Sequence, residues 1–126
     1  MIEQATPTQH SGGISIHAVD VANGTPAVGL KVRLRRISPE PTDIAQGACA
    51  PNGQLIDPVA DGQGVLRGTY EVEFDVGDYY LQRGVALPAP SFVDVAVFRF
   101  GIDNVSEHFH LPFKFTPWGF SLFRGG

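Results

Sequence analysis

The chain has 126 residues, the size of one domain, and 43% of them are hydrophobic, so it can bury a substantial core. Its formal net charge of −4 argues against a nucleic-acid-binding protein, because such proteins carry an excess of basic residues. No apolar run approaches the roughly 18 residues of a membrane span, and the single cysteine, Cys49, excludes a disulfide within the chain and favours a cytoplasmic setting.

The first residues are polar and lack the basic start and apolar stretch of a secretory signal. We therefore expect a flexible N-terminal arm over residues 1–13 and one folded domain over residues 14–126. Within that domain, scattered glycines and prolines separate short runs of alternating apolar residues. This pattern is typical of an all-β sandwich with frequent turns.

The alternating runs give the predicted strands in chain order. Alternation begins at residues 14–19, a turn is expected over residues 23–26, and residues 30–37 alternate apolar with basic side chains, which predicts one packed and one solvated face. Further strands are expected over residues 44–50, 70–76, 92–100, 108–114 and 119–123. A loop is predicted over residues 58–68, and one short helix over residues 77–84, with Asp78 as its N-cap.

Two histidines in strand-like settings are candidates for acid–base chemistry. His17 lies in the first predicted strand and His110 in a late one, and imidazole is the side chain best suited to move protons near neutral pH. His108 shares a strand face with His110, which could suggest a metal pair, but no third ligand is evident. We therefore expect no metal site here, and a supporting role for His108.

Several motifs in one order resemble the transthyretin-like family. The resemblance covers about residues 14 to 126, and it rests on the motifs at residues 16–20, 24–27, 70–74, 77–80, 108–113 and 116–126. It implies a two-sheet β-sandwich with one short helix. It also implies a homotetramer, built as a dimer of dimers, whose sites lie where the dimers meet.

The family contains ligand carriers and 5-hydroxyisourate hydrolases, which open an oxidised purine ring. The hydrolase pattern has a histidine in the first strand, an arginine after a turn, a histidine before a proline, and a terminal Tyr-Arg-Gly-Ser. This chain resembles that pattern at His17, His110 and Arg124. The resemblance therefore implies a hydrolase that acts on a small oxidised purine and needs no metal or organic cofactor. The charge and the absence of a long apolar run, given above, are the reasons to expect no nucleic-acid or membrane partner.

Departures from the hydrolase pattern fall in the expected pocket. The arginine position holds Gln54, and the terminal tetrapeptide ends with Phe123 and Gly126 in place of the tyrosine and the serine, while Thr116 lies in an altered Phe-Lys-Phe-Thr-Pro run. A neutral amide and an apolar wall suit a substrate without an ionisable N–H at that edge. We therefore expect 5-hydroxyisourate or an N-methylated 5-hydroxyisourate as substrate.

Each candidate residue has an expected role under this resemblance. His17 and His110 would activate water and protonate the departing nitrogen, and Arg124 would hold the developing oxyanion. Thr116 offers a hydroxyl, and the Gly126 carboxylate would orient a histidine, while Gln54 and Phe123 would contact the substrate. The alternatives are a non-catalytic ligand carrier of the transthyretin type and a plain immunoglobulin-like interaction module.

Overall fold

The structure is a computed structural model that describes residues 12–55 and 65–125. Its elements in chain order are β1 (Ile14–Asp20), β2 (Thr25–Pro26), β3 (Lys31–Ser38), β4 (Thr42–Ala48), β5 (Gly68–Asp75), α1 (Val76–Gln82), β6 (Val95–Ile102), β7 (Phe109–Thr116) and β8 (Gly119–Leu122). The strands form two four-stranded sheets, ordered β2-β1-β7-β8 and β4-β3-β5-β6. The expected all-β sandwich of two sheets with one short helix is confirmed.

The core lies between the two sheets and is built by strand alternation. In β1 and β7 every second side chain is buried, and the intervening ones are half-buried or exposed on the outer face. The Phe74 ring of one sheet stacks on the Phe113 ring of the other, with centroids 3.8 Å apart. Apolar burial between the sheets thus leaves the outer faces free to carry polar chemistry.

A buried carboxylate ties the end of β1 to the helix. Asp20 is fully buried and accepts hydrogen bonds from the Tyr80 hydroxyl at 2.6 Å, the Tyr79 hydroxyl at 3.1 Å and the Asn23 side-chain amide at 2.7 Å. Burial raises the pKa of Asp20, but these bonds lower it by more, so its pKa lies below the ordinary value. Burial, together with the nearby Asp20 carboxylate, raises the pKa of Tyr79 to about 12.

The helix begins one residue earlier than the sequence pattern predicts. Asp75 occupies the N-cap position without a side-chain capping bond, and Asp78 lies in the first turn, so the prediction of Asp78 as the cap is wrong. The buried residues Val76, Tyr79 and Tyr80 decide the position, because they must face the core and Asp20.

The predicted turn and the predicted arm also differ in extent from the structure. The turn expected at residues 23–26 contains the short strand β2, whose Thr25 pairs with Asp20 of β1. Gly12 and Gly13, at the end of the predicted arm, are buried, and the Gly13 carbonyl accepts a bond from the Phe109 amide. The rest of the predicted arm and most of the predicted loop at residues 58–68 lie outside the described residues.

No helix among the described residues has the length and apolar character needed to cross a bilayer.

Candidate functional site

The parallel pairing of β1 with β7 brings the two candidate histidines onto one outer face. Ser15 pairs with His110, and His17 pairs with Pro112, the next residue of β7 on that face. Strand spacings of about 4.8 Å and about 3.3 Å per residue put the Cα atoms of His17 and His110 about 8 Å apart. We call the outward side chains of β1 and β7, with those of the chain after β8 on the same side, the histidine face.

Ser15 occupies the centre of a row of polar groups on the histidine face. Its Oγ lies 2.7 Å from Nδ1 of His110 and 2.8 Å from Nε2 of His108, and Nδ1 of His108 lies 2.9 Å from the Gly12 carbonyl oxygen. Both rings are half-buried. The row orients the His110 ring so that its Nε2 points away from Ser15.

The surroundings of His110 favour its neutral form. Burial lowers its pKa below the ordinary 6.5, and the positive charges that His17 and His108 can carry lower the pKa further. Of these two charges, that of His17 has the larger effect. His110 is therefore unprotonated at neutral pH, as a base requires.

His17 is held by the turn that precedes Gln54. Its Nε2 lies 2.8 Å from the Asn52 carbonyl oxygen, which only accepts, so Nε2 donates and the ring's Nδ1 is left for other partners. Gly53 makes this approach possible. It has φ +86°, and a Cβ there would lie 2.5 Å from the Ala18 carbonyl oxygen and 3.2 Å from Nε2 of His17.

Gln54 lies directly beside His17. The two residues form an isolated antiparallel bridge, and the flanking backbone bonds run from Ala18 N to Gly53 O and from Leu55 N to Ile16 O. The Gln54 Oε1 accepts a bond from the Asn52 side-chain amide at 3.1 Å. Its Nε2 group makes no bond with the described residues, so it remains a neutral donor next to the His17 ring.

Phe123 and Lys114 form the neighbouring wall of the histidine face. The Gly125 amide donates to the His110 carbonyl at 2.8 Å, which keeps the chain after β8 alongside β7. The Phe123 ring is half-exposed, and the Lys114 ammonium lies 5.8 Å from its centroid. Among the described residues of this face, Lys114 is the one lysine or arginine, and it lies beyond Pro112, away from the Gln54 edge.

Arg124 is not brought to the histidines, contrary to the sequence-based expectation. Its guanidinium lies over the Phe109 ring, 4.1 Å from the centroid, and its Nη2 is 3.2 Å from Glu107 and donates to the His108 carbonyl. Alternation explains this position: Phe123 and Gly125 face the histidines, so Arg124 between them faces the other side. The guanidinium secures the C-terminal segment instead of lining the histidine face.

Two further candidates are not placed beside the histidines. Thr116 shares their face of β7 but lies six residues from His110, about 20 Å along the strand, and its Oγ1 accepts a bond from the Trp118 amide in the turn. Gly126 lies outside the described residues.

The part of the chain from 12 to 55 and from 65 to 125 contains no group of three or more residues arranged to hold a metal ion.

The structure adds three residues that the sequence pattern did not single out as site residues: Ser15, Asn52 and Lys114. Ser15 and Lys114 each lie an even number of residues from a candidate histidine in the same strand, which is the signal that could have found them. The bond from His17 to the Asn52 carbonyl depends on loop geometry, and strand periodicity contains no information about it.

Comparisons with known proteins agree on one family. The model of the family described as HIUase/Transthyretin matches residues 14–125. The chain is 37% identical to the 5-hydroxyisourate hydrolase of Pseudomonas aeruginosa, over 93% of this chain and 94% of that protein. It is also 37% identical to 5-hydroxyisourate hydrolase 2 of Rhizobium meliloti, over 91% and 97% of the two chains.

Two solved structures are similar in fold. The 5-hydroxyisourate hydrolase of Klebsiella pneumoniae superposes with a TM-score of 0.75 at 29% identity, covering 91% of this chain and 99% of that one. An (S)-allantoin synthase superposes with a TM-score of 0.86 at 32% identity over 94% of this chain. This chain spans 45% of that synthase.

Proposed function

Because this chain belongs to the HIUase/Transthyretin family, we propose that it hydrolyses a cyclic amide of an oxidised purine, either 5-hydroxyisourate or an N-methylated 5-hydroxyisourate. The expected family and its hydrolase branch are confirmed, since the curated relatives and a solved neighbour are hydrolases of this kind. The observation that carries the proposal is the pairing of β1 with β7, which puts His17 and His110 on one accessible face.

The two imidazoles can divide the proton transfers of amide hydrolysis. His110 takes a proton from water at Nε2, and the hydroxide attacks the ring carbonyl to give a tetrahedral oxyanion. The carbon–nitrogen bond then breaks, and the departing nitrogen takes a proton from Nδ1 of protonated His17. The proton held by His110 returns to His17 through solvent, so atoms and charge balance.

Gln54 supports the N-methylated form of the substrate. An arginine beside His17 would favour an anionic ring edge, whereas the Nε2 group of Gln54, which makes no bond within residues 12–55 and 65–125, is a neutral donor. Phe123 presents an apolar ring on the same face, which suits methyl groups better than a phenol would. Lys114 lies beyond Pro112, so it does not replace a cation at the Gln54 edge.

Aromatic exposure supports the proposed tetramer, a dimer of dimers. Phe92 and Trp118 remain 74% and 60% exposed in the single chain, and Phe120 and Phe123, in and after β8, are about half-exposed. Among the described residues, β8 is the last strand of its sheet, and no other strand pairs with its outer edge. Patches of this kind are typical of subunit interfaces. Light scattering on the purified chain should therefore give a mass four times that of the monomer.

We also propose a cytoplasmic location. The only cysteine, Cys49, is buried, and burial raises the pKa of its thiol to about 11. Such a thiol is a packed side chain rather than a reactive or disulfide-forming group. Fractionation of the native host followed by immunoblotting would test this location.

A decay assay tests the catalytic proposal. Freshly made 5-hydroxyisourate and its N-trimethyl form would each be followed in the near ultraviolet with and without the protein. We expect accelerated decay of both, with the larger kcat/KM for the methylated substrate. His110→Asn should reduce the rate by at least about 100-fold, since a general base contributes about 10²–10⁴-fold.

The rival proposal is a ligand carrier that has lost catalysis with the arginine and the two hydroxyls. Tight binding of either compound with unchanged decay would support the carrier and reject the hydrolase. Faster turnover of the unmethylated compound would keep the hydrolase and reject the preference for methylation.

A further inference from the structure

The donors and acceptors of the hydrogen bonds around Ser15 can be assigned one after another, starting from the Gly12 carbonyl. The Gly12 carbonyl oxygen only accepts, so the proton of neutral His108 must be on Nδ1, 2.9 Å away. The Nε2 of His108 is then an acceptor, and the Ser15 hydroxyl, 2.8 Å away, is the group that donates to it. The Ser15 hydroxyl has a single hydrogen, and the bond to His108 uses it.

The direction of the row decides where His110 carries its proton. Since the Ser15 oxygen has only lone pairs left, Nδ1 of His110 must donate to it across 2.7 Å. A neutral imidazole has one N–H, so Nε2 keeps a free lone pair. We propose that Ser15 and His108 are positioning residues that hold His110 in the Nδ1–H tautomer, with Nε2 presented to the attacking water.

This inference rests on the proposed function for its catalytic meaning, but the tautomer itself does not depend on any substrate. A base must present the correct nitrogen as well as have a suitable pKa, and an imidazole in the wrong tautomer cannot accept at the required atom. His17 is held in the opposite sense, because its Nε2 donates to the Asn52 carbonyl. The histidine face therefore presents Nε2 of His110 and Nδ1 of His17.

Nitrogen-15 NMR of the imidazole side chains in the full chain tests the tautomer directly. At pH 8 we expect the His110 signals to show a protonated Nδ1 and an unprotonated Nε2, with the assignment made by loss of those signals in His110→Asn. Ser15→Ala should reduce the Nδ1–H population, whereas Ser15→Thr keeps a hydroxyl and should retain it.

Kinetics of matched variants test the consequence for catalysis. Ser15→Ala and His108→Phe should lower kcat by about 10- to 100-fold, as partners that orient a functional histidine commonly do. KM should stay within about twofold, because neither residue is assigned a contact with the substrate. Ser15→Thr and His108→Gln retain the hydroxyl or an acceptor and should recover most of the activity.

The outcomes separate this inference from the function on which it rests. A wild-type His110 that carries its proton on Nε2 would overturn the inference even if the protein is an active hydrolase. So would a Ser15→Ala variant with an unchanged tautomer and unchanged kcat. The correct tautomer in a protein that opens neither substrate would support the inference and reject the proposed function.

Discussion

Gln54 lies directly across an isolated bridge from His17, so a neutral amide stands beside one of the two histidines of the face. The bridge is held by backbone bonds on both sides, from Ala18 to Gly53 and from Leu55 to Ile16. Substitution of the Gln54 side chain should therefore change the chemistry of the face without moving the strand.

Gln54→Arg should reverse the proposed substrate preference. An added charge-assisted bond to an ionisable ring edge is worth about 1.4 kcal/mol or more, which is about tenfold in kcat/KM for 5-hydroxyisourate. The N-trimethyl substrate has no such edge and should gain nothing. Gln54→Met is the neutral control, and the ratio of the two kcat/KM values is the measurement. An equal gain for both substrates would contradict the role of Gln54 in selection.

The acid limb of the pH profile should follow His110. Its pKa lies below the ordinary 6.5, chiefly because of burial and then because of His17 and His108. A base works above its pKa, so kcat/KM should stay high at pH 6.5 and fall only at lower pH. His17→Asn removes the larger of the two charge effects, so the pKa of His110 measured by NMR should rise. An unchanged value in that variant would show that the two rings do not interact.

Arg124→Ala should have a small effect on catalysis, because its guanidinium faces Phe109 and Glu107 instead of the histidines. We expect less than about a tenfold loss in kcat/KM, which is under about 1.4 kcal/mol, and a comparable result for Glu107→Gln. The exposed ion pair should contribute at most about 1 kcal/mol to stability. A loss as large as that of His110→Asn would place the guanidinium in the reaction.

Asp20→Asn should destabilise the fold. The amide replaces one of the two carboxylate oxygens by an NH2 group, which then faces a Tyr79 or Tyr80 hydroxyl that donates in the wild type. The loss of the charge and of one acceptor should cost about 2–4 kcal/mol. Tyr80→Phe removes one donor and should cost less. Urea unfolding at pH 7 measures both, and equal stability of Asp20→Asn and the wild type would contradict the argument.

The buried Asp20 carboxylate also predicts how the stability of the fold depends on pH in acid. The folded-state pKa of Asp20 lies below its ordinary value of 3.8, so its contribution to stability is fully present above that value. The contribution is lost as the pH falls from there through the lower folded pKa. Asp20→Asn should lack this dependence, so the two stability curves should converge in acid.

Gly53→Ala should disturb both stability and the His17 ring. The new Cβ would lie 2.5 Å from the Ala18 carbonyl oxygen, a backbone atom that cannot move alone, in a residue with φ +86°. We expect a loss of about 1–3 kcal/mol and a lower kcat. Gly24→Ala is the matched control, because Gly24 also has positive φ, +69°, but open space around it. Equal effects of the two variants would show that only the backbone angle matters.

Alternation of apolar side chains predicted the strands well but not their ends. Residues 92–94 continue the alternation before β6, yet the ladder starts at Val95, because its partner β5 ends at Asp75. Periodicity reports burial and does not report whether a neighbouring strand is present. Strand β2 was not predicted, because its two residues, Thr25 and Pro26, show no alternation. They form a strand only because β1 extends to Asp20 and pairs with them.

The candidate site was predictable as a set of residues and less so as a geometry. His17 and His110 are brought to one face, and Gln54 lies beside the first of them. The resemblance indicated Arg124 as a site residue, but it contains no information about the side of the chain after β8 on which the Arg124 side chain lies. The bonds of Ser15 depend on the register between strands far apart in the chain, and a single sequence does not specify that register.

The pairing of β1 with β7 joins Ser15 to His110, which lie 95 positions apart in the chain. Contacts so distant in the chain form late, because the intervening polypeptide must be ordered before its two ends can meet. During synthesis, the first strand therefore leaves the ribosome long before its neighbour exists. The onset of turnover during refolding would thus report completion of the whole sandwich. A nascent chain that stops before β7 would show no turnover.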